Sequence, residues 1–196
     1  MNDISKTIGW AQKSWNPVTG CLNNCSYCYA RRIANRFTGH FNPTLHLDRL
    51  EQPLKTRKGC RIFVCSMADL FGKWVPREWI LKVLDVCKRD SRNIFMFLTK
   101  NPKRYLEFDF HNNCILGLTI DTKNRESKKK LKIFKKVAGL KFISFEPILS
   151  DMSGLNLNGI HLCIIGADSS RGAEKPKQEW IDSIKHDNIF YKRNVR

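Results

Sequence analysis

RIFVCSMADLFGKWVPREWILKVLDVCKRDSRNIFMFLTK, residues 61–100, holds the pattern that decides the fold. RIFVCS (61–66) is a short apolar run rich in buried-strand residues, and ADLFG after it reads as a turn. Pro76 stands where a helix begins, and Ile80, Val83, Leu84 and Cys87 recur on one face of PREWILKVLDVCKRD (76–90). NIFMFLT (93–99) is a second continuous apolar run. Strand, helix and strand in succession form the unit from which a parallel sheet is built.

The same alternation continues on both sides. KNPKRYLEF reads as a turn and a short helix, and CILGLTI (114–120) as a strand. A charged helix from about Lys123 to Ala138 is expected to bury Leu131, Phe134 and Ala138. KFISFE (141–146) and HLCIIG (161–166) are further strands, PKQEWIDSIKHD is a last helix and NIFYK a last strand. Upstream, a cysteine-rich loop precedes a helix over about Tyr27–Phe37. Continuous apolar strands between helices imply a parallel sheet covered on both faces. We therefore expect an α/β protein, a partial (β/α)6-type TIM-like barrel with parallel strands, as one domain over residues 1–196. A full eightfold barrel takes about 250 residues, and a doubly wound open sheet is the competing architecture.

The 196 residues carry 42% hydrophobic and 11% aromatic side chains, which argues for a folded core and against disorder. No apolar run approaches the roughly 20 residues that span a bilayer. MNDISKTIGWAQKSW lacks the apolar stretch of a secretory signal, so a cytoplasmic protein with no membrane partner is expected. Five of the eight cysteines (60, 65, 87, 114 and 163) mostly lie in or beside apolar runs and read as buried thiols. The formal net charge of +17 favours a polyanionic partner, nucleic acid first. RESKKKLKIFKK (125–136) reads as a solvated outer helix. Arg31, Arg32 and Arg36 lie nearer the expected mouth and are the better candidates for nucleic-acid phosphate contacts.

Each strand ends in polar residues: Ser66 with Asp69, Thr99 with Lys100, Thr119 with Asp121, Ser144 with Glu146, and Gly166 with Asp168 and Ser169. Parallel α/β folds bind ligands at the carboxyl ends of their strands, so these pairs point to one shared site.

CLNNCSYC (21–28) sets Cys21, Cys25 and Cys28 in a C-x3-C-x2-C spacing. Structural zinc normally takes four ligands, and His40 or His46 would have to complete the set. An iron–sulfur cluster held by three thiolates keeps one iron open. Core packing is the plain alternative, and the polar loop argues against it.

The spacing resembles the signature of the radical S-adenosylmethionine (radical SAM) enzymes, with Tyr27 in the aromatic slot before the third cysteine. WNPVTGC (15–21), CYA (28–30), SMADLF (66–71), LTKNP (98–102), SFEPIL (144–149) and IIGADS (164–169) further resemble the serial motifs of a phage-associated radical SAM-like family. Two features depart from that family: only three residues separate the first two cysteines, and the sixth-strand motif reads Gly166-Ala167-Asp168-Ser169.

The resemblance implies a [4Fe–4S] cluster on Cys21, Cys25 and Cys28, with S-adenosyl-L-methionine chelating the open iron and yielding a 5′-deoxyadenosyl radical. It implies a flavodoxin- or ferredoxin-like electron donor, and we expect a monomer. Tyr27 would lie near adenine, Ser66 and Asp69 near the methionine amino group, and Thr99 near the methionine carboxylate or ribose. Asp168 and Ser169 would face adenine or ribose. Lys100, which could share the methionine carboxylate or ribose with Thr99 or contact a substrate phosphate, and Glu146, which could orient substrate or contact ribose, are the catalytic candidates. The implied function is modification or rearrangement of a nucleic-acid base or nucleotide, as in phage DNA hypermodification. The alternatives are a lesion-repair lyase of the spore-photoproduct-lyase type and a non-catalytic metal-binding nucleic-acid module.

Overall fold

The computed structural model describes residues 1–56 and 59–195. Among them, β1 (Asn2–Asp3), β2 (Lys13–Trp15) and β3 (Val18–Thr19) precede α1 (Tyr29–Thr38) and β4 (Thr44–Leu45). Then come β5 (Arg61–Val64), α2 (Arg77–Arg89), β6 (Ile94–Thr99) and β7 (Cys114–Thr119). The chain continues through α3 (Arg125–Phe134), β8 (Lys141–Phe145), β9 (Leu162–Ile165), α4 (Gln178–Asp182) and β10 (Ile189–Tyr191). No helix among the described residues is long and apolar enough to cross a membrane.

Eight strands form one sheet in the order β1-β2-β5-β6-β7-β8-β9-β10. β1 runs antiparallel to β2, and every later pairing is parallel. Strand order therefore follows chain order with no reversal, which a doubly wound sheet would require. The partial barrel is the architecture found. β2 extends the parallel set by one short strand, which no apolar run announces.

Side chains alternate between two cores, as the period of a strand demands. Ile62, Val64, Phe95, Phe97, Leu116, Leu118, Ile143 and Phe145 face the helices, where Ile80, Val83, Cys87, Leu131 and Phe134 cover them. Each fully buried aliphatic of that layer contributes about 1.5–3 kcal/mol. Phe63, Met96, Phe142 and Ile164 face the other way and gather around Trp10 and Ala11. The Trp10 ring lies 4.7 Å from that of Phe63 and 5.6 Å from that of Phe142. Strands β5 and β8 converge on one indole only because the sheet curls. Residues before β2 thus fill the concave side.

Two glycines make this filling possible. A Cβ on Gly117 would stand 2.3 Å from the Phe142 ring, and one on Gly9 would stand 3.0 Å from the Phe190 ring of β10. The interior is packed to the limit at both places.

α3 begins at a capping box, with Asn124 Oδ1 accepting from Ser127 N at 2.9 Å and Ser127 Oγ accepting from Asn124 N at 2.8 Å. It stops at Phe134, so Val137 completes the buried stripe and Ala138, expected there, is exposed. Lys128, Lys129 and Lys132 point to solvent, as an outer helix requires. Cys65, Cys87, Cys114 and Cys163 are buried and Cys60 is half-buried.

Candidate functional site

WNPVTGC builds the platform for the cysteines one residue at a time. Trp15 is fully buried and donates from Nε1 to Arg49 O at 2.8 Å. Asn16 Oδ1 accepts from Ser66 Oγ at 3.2 Å and Met67 N at 3.0 Å, tying the segment to the loop after β5. Val18–Thr19 pair with Leu45 and Thr44 in a small ribbon. Gly20 has φ +87°, and a Cβ there would fall 2.0 Å from Asn42 O, so only glycine fits. Gly20 N donates to Met67 O at 2.9 Å and Cys21 N to Phe41 O at 3.1 Å. Cys21 is therefore held between two loops before any ligand is considered.

Asn24 takes a left-handed φ of 53°, a conformation asparagine tolerates, and turns the chain back toward the barrel. Asn23 N donates to Cys21 Sγ at 3.5 Å. Cys28 is the N-cap of α1, and its sulfur accepts from Arg31 N at 3.4 Å. The positive end of the helix thus stands beside one sulfur. All three thiols are half-buried and free, and all line one cavity of about 510 Å³. Burial pushes the Cys21 thiol up to about 11. His46 bonds to Thr19 Oγ1 at 2.8 Å, and neither it nor His40 lines the cavity. Among the described residues no three His, Cys, Asp or Glu side chains converge tightly enough for a single ion. The chemistry of the donor set, three free thiols lining one cavity, fits the thiolate ligation of an iron–sulfur cluster.

Asp69, 6% exposed, knots three segments together. Its Oδ1 accepts from Thr99 Oγ1 at 2.6 Å and Phe71 N at 3.2 Å. Its Oδ2 accepts from Asn23 Nδ2 at 2.9 Å and Lys100 N at 3.0 Å. A carboxylate has about four acceptor sites, and protein donors fill them here. Thr99 Oγ1 is also engaged, accepting from Asn101 N at 2.9 Å. Both residues line the cavity, yet their polar atoms serve the scaffold.

Two ion pairs flank the cavity. Lys100 Nζ lies 2.6 Å from Asp121 Oδ2 and 2.7 Å from the Tyr27 hydroxyl, which itself donates to Asp121. Burial raises Tyr27 and the Asp121 charge raises it further. Burial also pushes Asp121 upward, but Lys100 and Tyr27 outweigh it and hold the carboxyl below its ordinary range. On the other side Lys192, after β10, pairs with Glu146, after β8. A Cβ on Gly166 would fall 2.8 Å from Glu146 Cγ and 3.1 Å from Lys192 Cδ. Glycine at 166 lets these two side chains pass.

Cys21, Cys25, Cys28, Tyr27, Ser66 and Asp69 meet Thr99, Lys100, Glu146, Asp168 and Ser169 around this one cavity. Asp168 Oδ1 accepts from Ser170 N at 2.7 Å and Ser170 Oγ at 2.6 Å, which shapes its loop. The three arginines stand apart from the lining. Arg31 straps the cysteine loop through Asn24, Arg32 bonds Ser170, and Arg36 lies over the Phe37 ring. Sequence reasoning passed over Lys192 and Tyr29. Tyr29 lines the cavity and donates to Ser66 O at 2.6 Å. It underrated Asp121, noticed as a strand-end residue and nothing more.

The sequence profile of the family described as "Protein of unknown function (DUF5131)" matches residues 5–191. No curated protein matches the chain. Among solved structures, a cysteine-to-alanine mutant of spore photoproduct lyase with dinucleoside spore photoproduct superposes with a TM-score of 0.64 at 14% identity. That match covers 86% of this chain and 59% of that one. Spore photoproduct lyase complexed with dinucleoside spore photoproduct gives 0.62 at 13% identity, over 84% and 58%. A double mutant with bound AdoMet and dinucleoside spore photoproduct gives 0.58 at 12%, over 77% and 55%. At these identities the likeness is one of fold, and the chain spans under three fifths of the length of each.

Proposed function

The chain belongs to the family described as protein of unknown function (DUF5131), and from that premise we propose a radical SAM enzyme acting on a nucleic-acid base or nucleotide. One observation carries the reading: three free, half-buried cysteines of a single pinned loop line a cavity at the carboxyl ends of a curled parallel sheet. Cys21, Cys25 and Cys28 would hold a [4Fe–4S] cluster, with the fourth position left to S-adenosylmethionine. Cluster and S-adenosylmethionine together supply one-electron cleavage of a carbon–sulfur bond and abstraction of a hydrogen atom from substrate. A flavodoxin- or ferredoxin-like protein would deliver the electron.

The chain's own residues divide the remaining work. Asp69 and Thr99 are positioning residues that hold the cysteine loop against β6. Tyr27, Lys100 and Asp121 form one hydrogen-bonded wall, with the Lys100 ammonium 5.4 Å from the Tyr27 ring centroid. Glu146 and Lys192 form the opposite wall and present both signs of charge to a polar ligand. Ser66 lines the cavity, its hydroxyl donating to Asn16 Oδ1. Arg32 and Arg36, exposed on α1, are the candidates for phosphates outside the cavity. The formal charge of +17 supports a polyanionic substrate.

Base modification of the phage hypermodification type is our first reading. Lesion repair is the second, favoured by the fold likeness to spore photoproduct lyase in complex with AdoMet and its dinucleoside lesion. Anaerobic reconstitution tests the enzyme: about four irons per chain, a brown colour and dithionite-dependent release of 5′-deoxyadenosine are expected. A colourless protein that takes one zinc and leaves S-adenosylmethionine intact overturns it. Transfer of hydrogen from labelled DNA, RNA or nucleotides into 5′-deoxyadenosine then sorts the substrates.

A further inference from the structure

Two polar atoms in the barrel interior have no hydrogen-bond partner among the described residues: Trp10 Nε1 and Ser144 Oγ. Trp10 is 4% exposed and Ser144 is wholly buried, and both line the 510 Å³ cavity. The other buried atoms without a hydrogen bond, on Arg31, Trp74 and Arg104, belong to residues outside that lining, and Arg104 Nε has Glu107 Oε2 at 3.2 Å. Buried donors and acceptors are ordinarily satisfied, because an unmade hydrogen bond costs the full desolvation of the group. Two such atoms in one cavity call for a ligand.

Their positions are linked. Phe142 and Ser144 sit two residues apart on β8, hence on the same face and about 7 Å apart along the strand. The Trp10 ring packs 5.6 Å from the Phe142 ring. Ser144 therefore lies one step nearer the mouth than the aromatic that supports the indole. Ile4, Ile8, Phe63 and Leu98 supply apolar walls to the same cavity.

The chemistry of the missing partner follows from what is unmet. Indole N–H can only donate, and a hydroxyl donates one bond and accepts others. The two lysines of the cavity lining are already matched, Lys100 with Asp121 and Lys192 with Glu146, and the remaining carboxylates, Asp69 and Asp168, take hydrogen bonds from the protein. An anionic ligand group would have no free counter-charge at this apolar depth. A neutral acceptor on a flat ring meets both atoms.

We infer that the interior of the cavity receives an uncharged heteroaromatic ring, a nucleobase, whose carbonyl oxygen or ring nitrogen accepts from Trp10 Nε1 and Ser144 Oγ. The inference rests on the reading of the chain as an enzyme of bases or nucleotides. The ring is the substrate's base, and the adenine of S-adenosylmethionine, which shares this chemistry, is the occupant the test must separate from it.

Calorimetric titration of the reconstituted full chain with thymidine, deoxycytidine and deoxyguanosine, and separately with S-adenosylmethionine, tests it in wild type, Ser144→Ala and Trp10→Phe. Each variant is expected to bind the ring about five- to tenfold more weakly. Ser144→Ala should have an unchanged or higher thermal midpoint without ligand, since it removes an unpaired oxygen. Should Trp10→Phe lose packing, Ser144→Ala decides alone. Loss confined to a nucleoside assigns the pocket to substrate and supports the inference, whereas loss confined to S-adenosylmethionine gives the two atoms to adenine and overturns it. Affinities of both variants within about twofold of wild type for every ring mean that water alone satisfies the two atoms, and overturn it. So does a wild-type chain that binds none of the rings. Reductive cleavage of S-adenosylmethionine, measured on the same preparation, reports on the enzyme reading separately. If that fails, the nucleoside titrations still decide the ring pocket.

Discussion

Asn23, between the first two cysteines, donates from Nδ2 to Oδ2 of Asp69 at 2.9 Å, across 46 residues of sequence. The same oxygen takes Lys100 N, and the other takes Thr99 Oγ1 and Phe71 N. The geometry of the cysteine loop is thus set by a carboxylate that binds none of its sulfurs. Asp69→Asn replaces one acceptor oxygen with a donor facing other donors. A stability loss of about 2–3 kcal/mol is expected in urea denaturation, with fewer irons retained per chain after reconstitution.

Cysteine substitutions should separate by location. Cys21→Ser, Cys25→Ser and Cys28→Ser are each expected to abolish the iron–sulfur chromophore, with little effect on the unloaded protein's thermal midpoint. Cys163→Ala, in the core with no exposed surface, should keep the chromophore and cost roughly 1 kcal/mol. Iron analysis with melting curves checks both halves, and a serine variant with full iron would contradict the ligand assignment.

Gly20 and Gly39 make a controlled pair. Both have positive φ, +87° and +71°, but a Cβ on Gly20 meets Asn42 O at 2.0 Å while one on Gly39 meets nothing within 4 Å. Gly39→Ala bears only the left-handed backbone cost, roughly 1 kcal/mol. Gly20→Ala adds a backbone collision and should cost well over about 2 kcal/mol. Equal denaturation midpoints for the two variants would remove the steric account of the WNPVTGC turn.

Asp121 gives the stability a pH dependence of known sign. Its carboxyl is depressed below the ordinary value of 3.8, since Lys100 and Tyr27 outweigh the effect of burial. A depressed acid stabilises the fold above its unfolded pKa, and that contribution is lost as pH falls through the folded value. Asp121→Asn should therefore differ most from wild type at neutral pH and converge on it as the pH drops below about 4. Denaturant titrations at several pH values measure the convergence.

The strands were legible because RIFV, IFMFLT and KFISF are continuous apolar runs, buried on both faces as a covered parallel sheet demands. β2 was not, because three residues, KSW, leave no pattern. The thiol loop was legible because its spacing is local. The pairing of Glu146 with Lys192 was hidden, since it depends on two strand ends meeting across Gly166. Asp69 was visible as a polar strand-end residue, but its role was not. Four donors from three separate segments saturate it, and no stretch of sequence holds them together. Trp10 was hidden for the same reason, since its bare nitrogen exists only once β8 curls over it.

The close fit of Gly9 against Phe190 has a consequence for the order of assembly. Trp10 and the three thiols leave the ribosome long before β10 exists, a delay on the order of ten seconds at ordinary synthesis rates. The concave side cannot be sealed in that interval, because one of its walls has not been made. The thiols are chemically complete well before the chamber that shelters them.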